Sequence, residues 1–324
     1  MNRLADDDDR GFLAALIGDG RPLLSLTAMA LILSGGFALF LSATGHFLPH
    51  DVQHLGLTPA QLCERGHCRI VHFMFHDRAS FGGALIAIGT LYLWLAEFPL
   101  RRGEPWAWWL FIVSGTTGFG SFLAYLGYGY LDSWHGAATL VLLPLFVLGL
   151  VQTRRALDRP APLSTLWQPG EWSSWRSAAG VGRACLLATG AGMMLAGGTI
   201  LVVGMTRVFV PQDLEYMQLT ADDLDAISPR LVPLIAHDRA GFGGGLGSCG
   251  LILFLCVWCG RPARHLWQAL AIAGTTGFVT AIGVHPFIGY MSLSHLAPAC
   301  MGAMLFFAGL ALSRRPMGFR SQSM

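Results

Sequence analysis

Long apolar runs are the feature that most restricts how this chain can fold. A helix needs about 20 apolar residues to cross a hydrocarbon layer about 30 Å thick. Inside such a layer only helices and closed barrels satisfy all their backbone hydrogen bonds, and runs of this length indicate helices. Eight runs qualify, at residues 23–47, 79–98, 106–130, 135–153, 184–206, 240–259, 266–290 and 294–312.

The composition agrees with a membrane protein. Of 324 residues, 53% are hydrophobic and only 12% are charged, whereas soluble domains carry about 25% charged residues. The net charge of +2 gives no reason to expect a nucleic-acid partner. We therefore predict an all-α integral membrane protein with eight transmembrane helices and the lipid bilayer as its surroundings.

Arginine placement predicts the orientation. With the N-terminus inside, the inner segments hold fifteen of the 21 arginines and the outer segments hold six. Basic residues are in excess in cytoplasmic loops, so we expect both termini in the cytoplasm of a bacterial-type inner (plasma) membrane. The first run has a mixed flank (ADDDDR, residues 5–10) and no small-residue cleavage site, which favours a retained helix over a signal peptide.

The chain repeats itself at an offset of 159 to 162 residues. HDRASFGG at 76–83 returns as HDRAGFGG at 237–244, and GTTGF at 115–119 returns at 274–278. The remaining matches are Gly35-Gly36 with Gly197-Gly198, Pro49-x-Asp51 with Pro211-x-Asp213, Leu57-Thr58 with Leu219-Thr220, Gly129-Tyr130 with Gly289-Tyr290, and His135 with His295. So constant an offset indicates a tandem duplication. Because each unit has four helices, an even number, the two units are predicted to be parallel repeats.

This duplication predicts five parts. They are a cytoplasmic segment 1–22, a first membrane repeat 23–153, a cytoplasmic linker 154–183, a second membrane repeat 184–312 and a cytoplasmic tail 313–324. The linker is rich in proline, serine and tryptophan, as expected between two membrane units.

Ten of the eleven histidines fall on the predicted outer side. His76 and His135 open the second and fourth helices, and His237 and His295 match them in the second half. We predict these four as metal ligands, with His72 as an auxiliary one. Zinc, copper and iron all accept imidazole together with Asp. The alternative cofactor is b-type haem between His76 and His135, since no CxxCH motif occurs; the alternative without a cofactor is a solvated histidine-rich loop.

The first half has further histidines that the second lacks. His46, His50 and His54 are spaced by four, as are His72 and His76, and residues four apart share a helix face. The counterparts of His46, His54 and His72 are Val208, Tyr216 and Pro233. We expect the first half to bind or react and the second half to brace it.

The charged pairs Asp77-Arg78 and Asp238-Arg239 are predicted to take part in catalysis or to hold the ligands in place. Sequence neighbours on a helix point about 100° apart, so each needs a partner elsewhere. We predict two crossed pairs, Asp77 with Arg239 and Asp238 with Arg78. The Asp residues would orient the imidazoles or bind the metal directly. The Arg residues would hold an anionic group. The alternative is a helix cap, a headgroup anchor and a glycine packing patch.

Other motifs carry weaker predictions. Cys63 and Cys68 lie in the first outer loop, where a local disulfide is plausible and redox chemistry is the weaker alternative. Cys256 and Cys259 are read as small hydrophobic residues rather than a redox pair. Pro286, after His285, frees a backbone carbonyl that can line a cavity.

These features lead to three functional hypotheses. The first is a membrane oxidoreductase or hydrolase that depends on a metal or haem, with quinone as a possible apolar partner. The second is a transporter of an apolar or lipid-like substrate. The third is a scaffold subunit of a membrane complex. The sequence does not decide whether the protein is an enzyme.

Overall fold

The computed structural model describes residues 11–64, 68–123, 130, 132–157, 161–314 and 317–318. Within these ranges the regular structure is helical throughout. The α-helices are α1 (Phe12–Ile17), α2 (Arg21–Thr44), α3 (Pro49–Leu55), α4 (Pro59–Glu64), α5 (Cys68–Glu97), α6 (Pro105–Leu123), α7 (Ser133–Ala156), α8 (Ala178–Thr206), α9 (Pro211–Met217), α10 (Ala221–Ile227), α11 (Leu231–Cys259), α12 (Arg264–Ile288) and α13 (Leu293–Ser313).

Among the described residues, seven helices are long and apolar enough to cross a membrane: α2, α5, α7, α8, α11, α12 and α13. The remaining predicted run, 106–130, contains α6, which is 19 residues long and is not among the seven. Residues 124–129 of that run lie outside the described residues. The structure therefore supports seven candidate spans, and the eighth stays a prediction.

Two helices start earlier than their apolar runs predicted. α5 begins at Cys68 rather than near residue 79, and α11 begins at Leu231 rather than near residue 240. His76 and His237 therefore lie inside helices, and the prediction that they open them is wrong, as is the alternative that Asp77 and Asp238 cap them. The hydropathy of the sequence identified only the apolar part of each helix. Each helix continues through its His-Asp-Arg triplet because the charged side chains are paired inside the protein.

α5 and α11 form the centre of the bundle. Most of their residues are buried, and the two helices pack against each other. α5 also packs on α2 and α12, while α11 packs on α8 and α6. The outer helices instead expose large apolar side chains, for example Leu33, Leu140, Leu195 and Phe287. An outer surface with many such side chains suits contact with lipid better than contact with water.

Glycines allow the central helices to approach their neighbours. A Cβ atom on Gly82 would lie 2.8 Å from the Gly35 carbonyl oxygen, and one on Gly243 would lie 2.9 Å from that of Gly197. Gly83, the next residue, faces the opposite half of the chain. A Cβ atom on Gly83 would overlap the Thr280 side chain. The glycine packing patch given above as the alternative is thus present at Gly82, Gly83 and Gly243.

Four short helices, α3, α4, α9 and α10, cover one end of the bundle around a second apolar core. Its largest members include Phe73, Phe209 and Tyr290. A disulfide between Cys63 and Cys68 joins α4 to the start of α5, which confirms the predicted bridge. The polar clusters described next lie beneath this cover. At the opposite side of the core, Cys256 and Cys259 are buried among apolar residues, as expected.

Candidate metal centres

Two crossed ion pairs join the central helices. Arg78 Nε on α5 lies 2.8 Å from Asp238 Oδ2 on α11. Arg239 Nε on α11 lies 3.3 Å from Asp77 Oδ2 on α5. Both predicted pairs are therefore confirmed. Each arginine reaches across the bundle because its sequence neighbour points elsewhere on the helix.

Each arginine also binds a carboxylate from a short helix. Arg78 Nη1 lies 2.8 Å from Asp51 Oδ2 of α3, and Arg239 Nη2 lies 2.8 Å from Asp213 Oδ2 of α9. Asp51 and Asp213 are both almost fully buried. Buried charges persist only when they are paired and hydrogen-bonded. Asp51 and Asp213 were not predicted as site residues, although they belong to the matched Pro-x-Asp pattern.

Each arginine and the two carboxylates that it binds form a frame. A tyrosine completes each frame. The Tyr290 hydroxyl donates to Asp213 Oδ1 over 2.9 Å, and the Tyr130 hydroxyl donates to Asp51 Oδ1. Burial, and then the adjacent carboxylate, raises the pKa of both phenols. Both tyrosines are therefore neutral donors at ordinary pH. They also belong to the sequence repeat, as the matched Gly-Tyr pairs.

The first cluster consists of Asp132, His135 and His237. Asp132 precedes α7, and its Oδ1 accepts the backbone N–H groups of Trp134 and His135, which fixes the carboxylate as a helix cap. Its Oδ2 lies 2.9 Å from His135 Nδ1 and 3.5 Å from His237 Nε2. The two ring nitrogens are 3.2 Å apart. Burial alone would raise the pKa of Asp132, but the hydrogen bonds from His135 and His237 lower it below the usual range.

The second cluster consists of His76, His285 and His295. His76 Nε2 lies 3.2 Å from His285 Nε2, and the His295 ring is packed against both. His76 Nδ1 lies 2.9 Å from Asp77 Oδ1. A carboxylate at Nδ1 holds the proton there and leaves the Nε2 lone pair available to a metal.

The structure groups the predicted ligands across the two halves. His76 lies with His295, and His135 lies with His237, so the proposed haem pair His76 and His135 is not brought together. The reason is helix packing. α5 lies against α12 of the second half, which leads into the helix that carries His295, and α11 lies against α6 of the first half, which precedes the helix that carries His135. His72 is half-buried and belongs to neither cluster.

Two cluster members were not predicted as ligands. Asp132 has Ser292 as its counterpart, and His285 has Tyr125, so a search for matched positions passed over both. Of the additional first-half histidines, His50 approaches the first cluster, with Nε2 2.9 Å from Asp132 Oδ1. His46 is exposed.

The spacing of the ligand atoms fits a small metal ion. In each cluster one atom from each of the three residues lies within 4.8 Å of the others. A tetrahedral ion with bonds of about 2.0–2.1 Å holds its ligand atoms about 3.3 Å apart. The first cluster shows 2.9, 3.2 and 3.5 Å. Two nitrogens 3.2 Å apart are too close for opposite sides of one ion, which requires about 4 Å.

No protein-family model matches this chain, and no curated protein or solved structure is significantly similar to it. Its function therefore has to be argued from the clusters themselves.

Proposed function

We propose that this chain is an integral membrane metalloprotein with one transition-metal centre in each cluster. The observation that carries the proposal is the convergence of three buried or half-buried ligand atoms within 4.8 Å, twice in one molecule. Helical spans with the hydropathy of membrane segments support the membrane part.

The two donor sets suit different ions. Asp132, His135 and His237 offer two imidazoles and one carboxylate, the donor set of many non-haem iron(II) sites. His76, His285 and His295 offer three imidazoles, which suits zinc or copper. Both sets favour a compact ion over b-type haem, because the paired nitrogens lie too close to bind opposite faces of a macrocycle.

The bound ions would supply Lewis acidity or one-electron chemistry. The chain's own residues orient the ligands. Asp77 holds the tautomer of His76, and Asp132 is itself fixed by the N-terminus of α7. Arg78 and Arg239 are each engaged by two carboxylates, so we assign them and Asp238 to positioning rather than to anion binding. The reaction class is oxidation–reduction or hydrolysis of a molecule that reaches this end of the bundle.

The topology belongs to the same proposal. We propose eight transmembrane helices in two tandem parallel repeats, with α6 as the eighth, whose central helices α5 and α11 each contact the opposite half. The arginine distribution supports placing the clusters on the extracytoplasmic side of a bacterial-type inner membrane, with both termini cytoplasmic.

A transporter is the second candidate. A proton or ion path is disfavoured because no Asp, Glu, Lys or Arg occurs in the sequence of α5 and α11 between the charged triplets and Glu97 or Cys259, which leaves an apolar or lipid-like substrate as the cargo of this candidate. A hydrophilic pathway normally needs polar groups through the depth of the membrane. A scaffold role would leave two convergent ligand sets without a use.

Elemental analysis and a visible spectrum of the detergent-purified protein test the proposal. We expect stoichiometric iron, zinc or copper without a Soret band. The variant His237→Ala/His295→Ala removes one ligand from each cluster and should lose most of the metal, whereas His46→Ala, at an exposed histidine, should retain it. A wild-type protein that binds none of these ions after reconstitution would overturn the proposal, and a Soret band would replace it with haem.

A further inference from the structure

The carboxylate of Asp132 faces two sets of ligand atoms. Its Oδ2 points to His135 and His237, as described above. Its Oδ1 lies 2.9 Å from His50 Nε2. His50 Nε2 in turn lies 3.4 Å from Asp51 Oδ1. One carboxylate thus belongs to two adjacent groups, each with three candidate ligand atoms within 4.8 Å.

We propose that the first cluster is the core of a dinuclear metal centre. This inference rests on the proposed function and deepens it. One ion binds to His135, His237 and Asp132 Oδ2, and the second binds to His50, Asp51 and Asp132 Oδ1. A bridging carboxylate with one oxygen on each ion is the usual arrangement in two-metal sites, where the ions lie about 3.5–4 Å apart.

The first cluster carries more buried negative charge than the second. Among the described residues, the first cluster and its frame hold three carboxylates, Asp51, Asp132 and Asp238, against one guanidinium, Arg78. The frame around the second cluster holds two carboxylates against Arg239. Uncompensated buried charge is costly. One divalent cation offsets the two excess negative charges, so the positions of His50, Asp51 and Asp132 Oδ1 carry the proposal of the second ion.

The second half of the chain is a natural control. At the position that matches His50 it has Gln212, and at the position that matches Asp132 it has Ser292. Gln212 is half-buried at the start of α9, as His50 is at the start of α3. The second cluster therefore lacks both the bridging carboxylate and the additional imidazole, and it is assigned a single ion.

Equilibrium dialysis of the full-length protein in detergent against Zn²⁺ counts the ions. We expect about three zinc ions per chain in the wild type and about two in His50→Gln, which copies the second half. The gain-of-ligand variant Gln212→His/Ser292→Asp should bind about four. Since misfolding does not create sites, this variant guards against a loss of binding caused by unfolding.

The outcomes separate the two proposals. Two zinc ions in both the wild type and His50→Gln would overturn the dinuclear centre and leave the two single-ion centres standing. No bound zinc in the wild type would overturn both. Electron paramagnetic resonance of the Mn²⁺-loaded protein gives a second readout. Spin coupling that is present in the wild type and absent in His50→Gln supports the pair of ions, and uncoupled spectra for both proteins contradict it.

Discussion

The two clusters share a frame and differ in what the frame holds. In each, an arginine of a central helix joins a carboxylate of the opposite central helix to one from a short helix, and a tyrosine binds the latter. The contents diverge at three places. The first cluster uses Asp132 where the second has Ser292, His50 beside the first cluster is matched by Gln212, and the second cluster uses His285 on α12.

This difference shows which parts of the site are structural. The arginines, the four aspartates around them and the tyrosines occur in both halves, so they answer a requirement that both halves share, namely the pairing of α5 with α11. The third ligand is a carboxylate in the first cluster and an imidazole in the second. This difference alters the charge and the metal preference of the cluster and leaves the frame unchanged. The two ligand sets therefore favour different metal ions under the proposed function.

The largest expected effect tests whether each cluster is built from ligands of both halves. His76→Ala/His295→Ala should empty only the second cluster, because both ligands belong to it. His76→Ala/His135→Ala should damage both clusters. Metal content per chain measures the difference between these double variants. Equal losses in the two variants would contradict the grouping of ligands across the halves.

The next effect tests whether the two frames are equivalent. Arg78→Ala and Arg239→Ala each leave two buried carboxylates without their cation, at a cost of about 3–5 kcal/mol. We expect a similar loss for both in thermal unfolding of the detergent-solubilised protein. Arg207→Ala, at an exposed position, is the control and should change stability little. A loss confined to one of the two frame variants would mean that only that frame stabilises the bundle.

Much of this frame could be predicted from the matched motifs in the sequence. The crossed pairs were predictable because Asp and Arg are adjacent on one helix and recur in both halves, so each needs a partner in the other copy. Matched histidines at 76, 135, 237 and 295 identified four of the six cluster members. These predictions used only the features that the halves share.

Comparison of the two halves did not identify the residues in which the halves differ. Asp132 and His285 have no like residue at their matched positions, so comparing the halves gave them no weight. The pairing of His76 with His295 depends on how α5 packs against α12, which periodicity within one helix does not reveal. The true starts of α5 and α11 were also hidden, because hydropathy falls at the charged triplet although the helix continues.

A smaller effect concerns the tyrosines. Tyr130→Phe and Tyr290→Phe each remove a hydrogen bond to a buried carboxylate, which costs about 1.5–3 kcal/mol. Tyr216, whose hydroxyl donates to the neutral Ile288 carbonyl over 2.7 Å, is the control, with an expected cost of about 0.5–1.5 kcal/mol for Tyr216→Phe. Thermal unfolding measures all three. Equal losses for the three variants would show that the carboxylate acceptors add nothing.

The same hydroxyls give a dependence on pH. In the folded state the pKa of Tyr130 and Tyr290 lies above that of an unfolded tyrosine, because of burial and then of the neighbouring carboxylate. The folded protein therefore keeps protons that the unfolded chain releases above about pH 10. The stabilisation is complete below that pH and is lost as pH rises further. The difference in stability between wild type and Tyr130→Phe should shrink above about pH 10.

The smallest effect compares adjacent glycines on the outer helices. Gly35 faces α5, where a Cβ would meet the Gly82 carbonyl, whereas Gly36 has nothing within 4 Å of such an atom. Gly197 and Gly198 show the same contrast against α11. A methyl group forced into a backbone contact costs about 1–3 kcal/mol, while alanine at an open helical position gains up to about 1 kcal/mol. We therefore expect Gly35→Ala and Gly197→Ala to lower the unfolding temperature, and Gly36→Ala and Gly198→Ala to hold or raise it.

These four variants also report on the metal centres. The packed glycines set how closely α2 and α8 approach the central helices that carry Arg78 and Arg239, so a shift of either helix moves a frame against its ligands. If the two halves are held together independently, Gly35→Ala weakens metal binding in one cluster alone, and Gly197→Ala weakens it in the other. If both variants reduce metal in both clusters equally, then the contact between α5 and α11 makes the frames one cooperative unit, and the unlike ligand sets are tuned within a single rigid core.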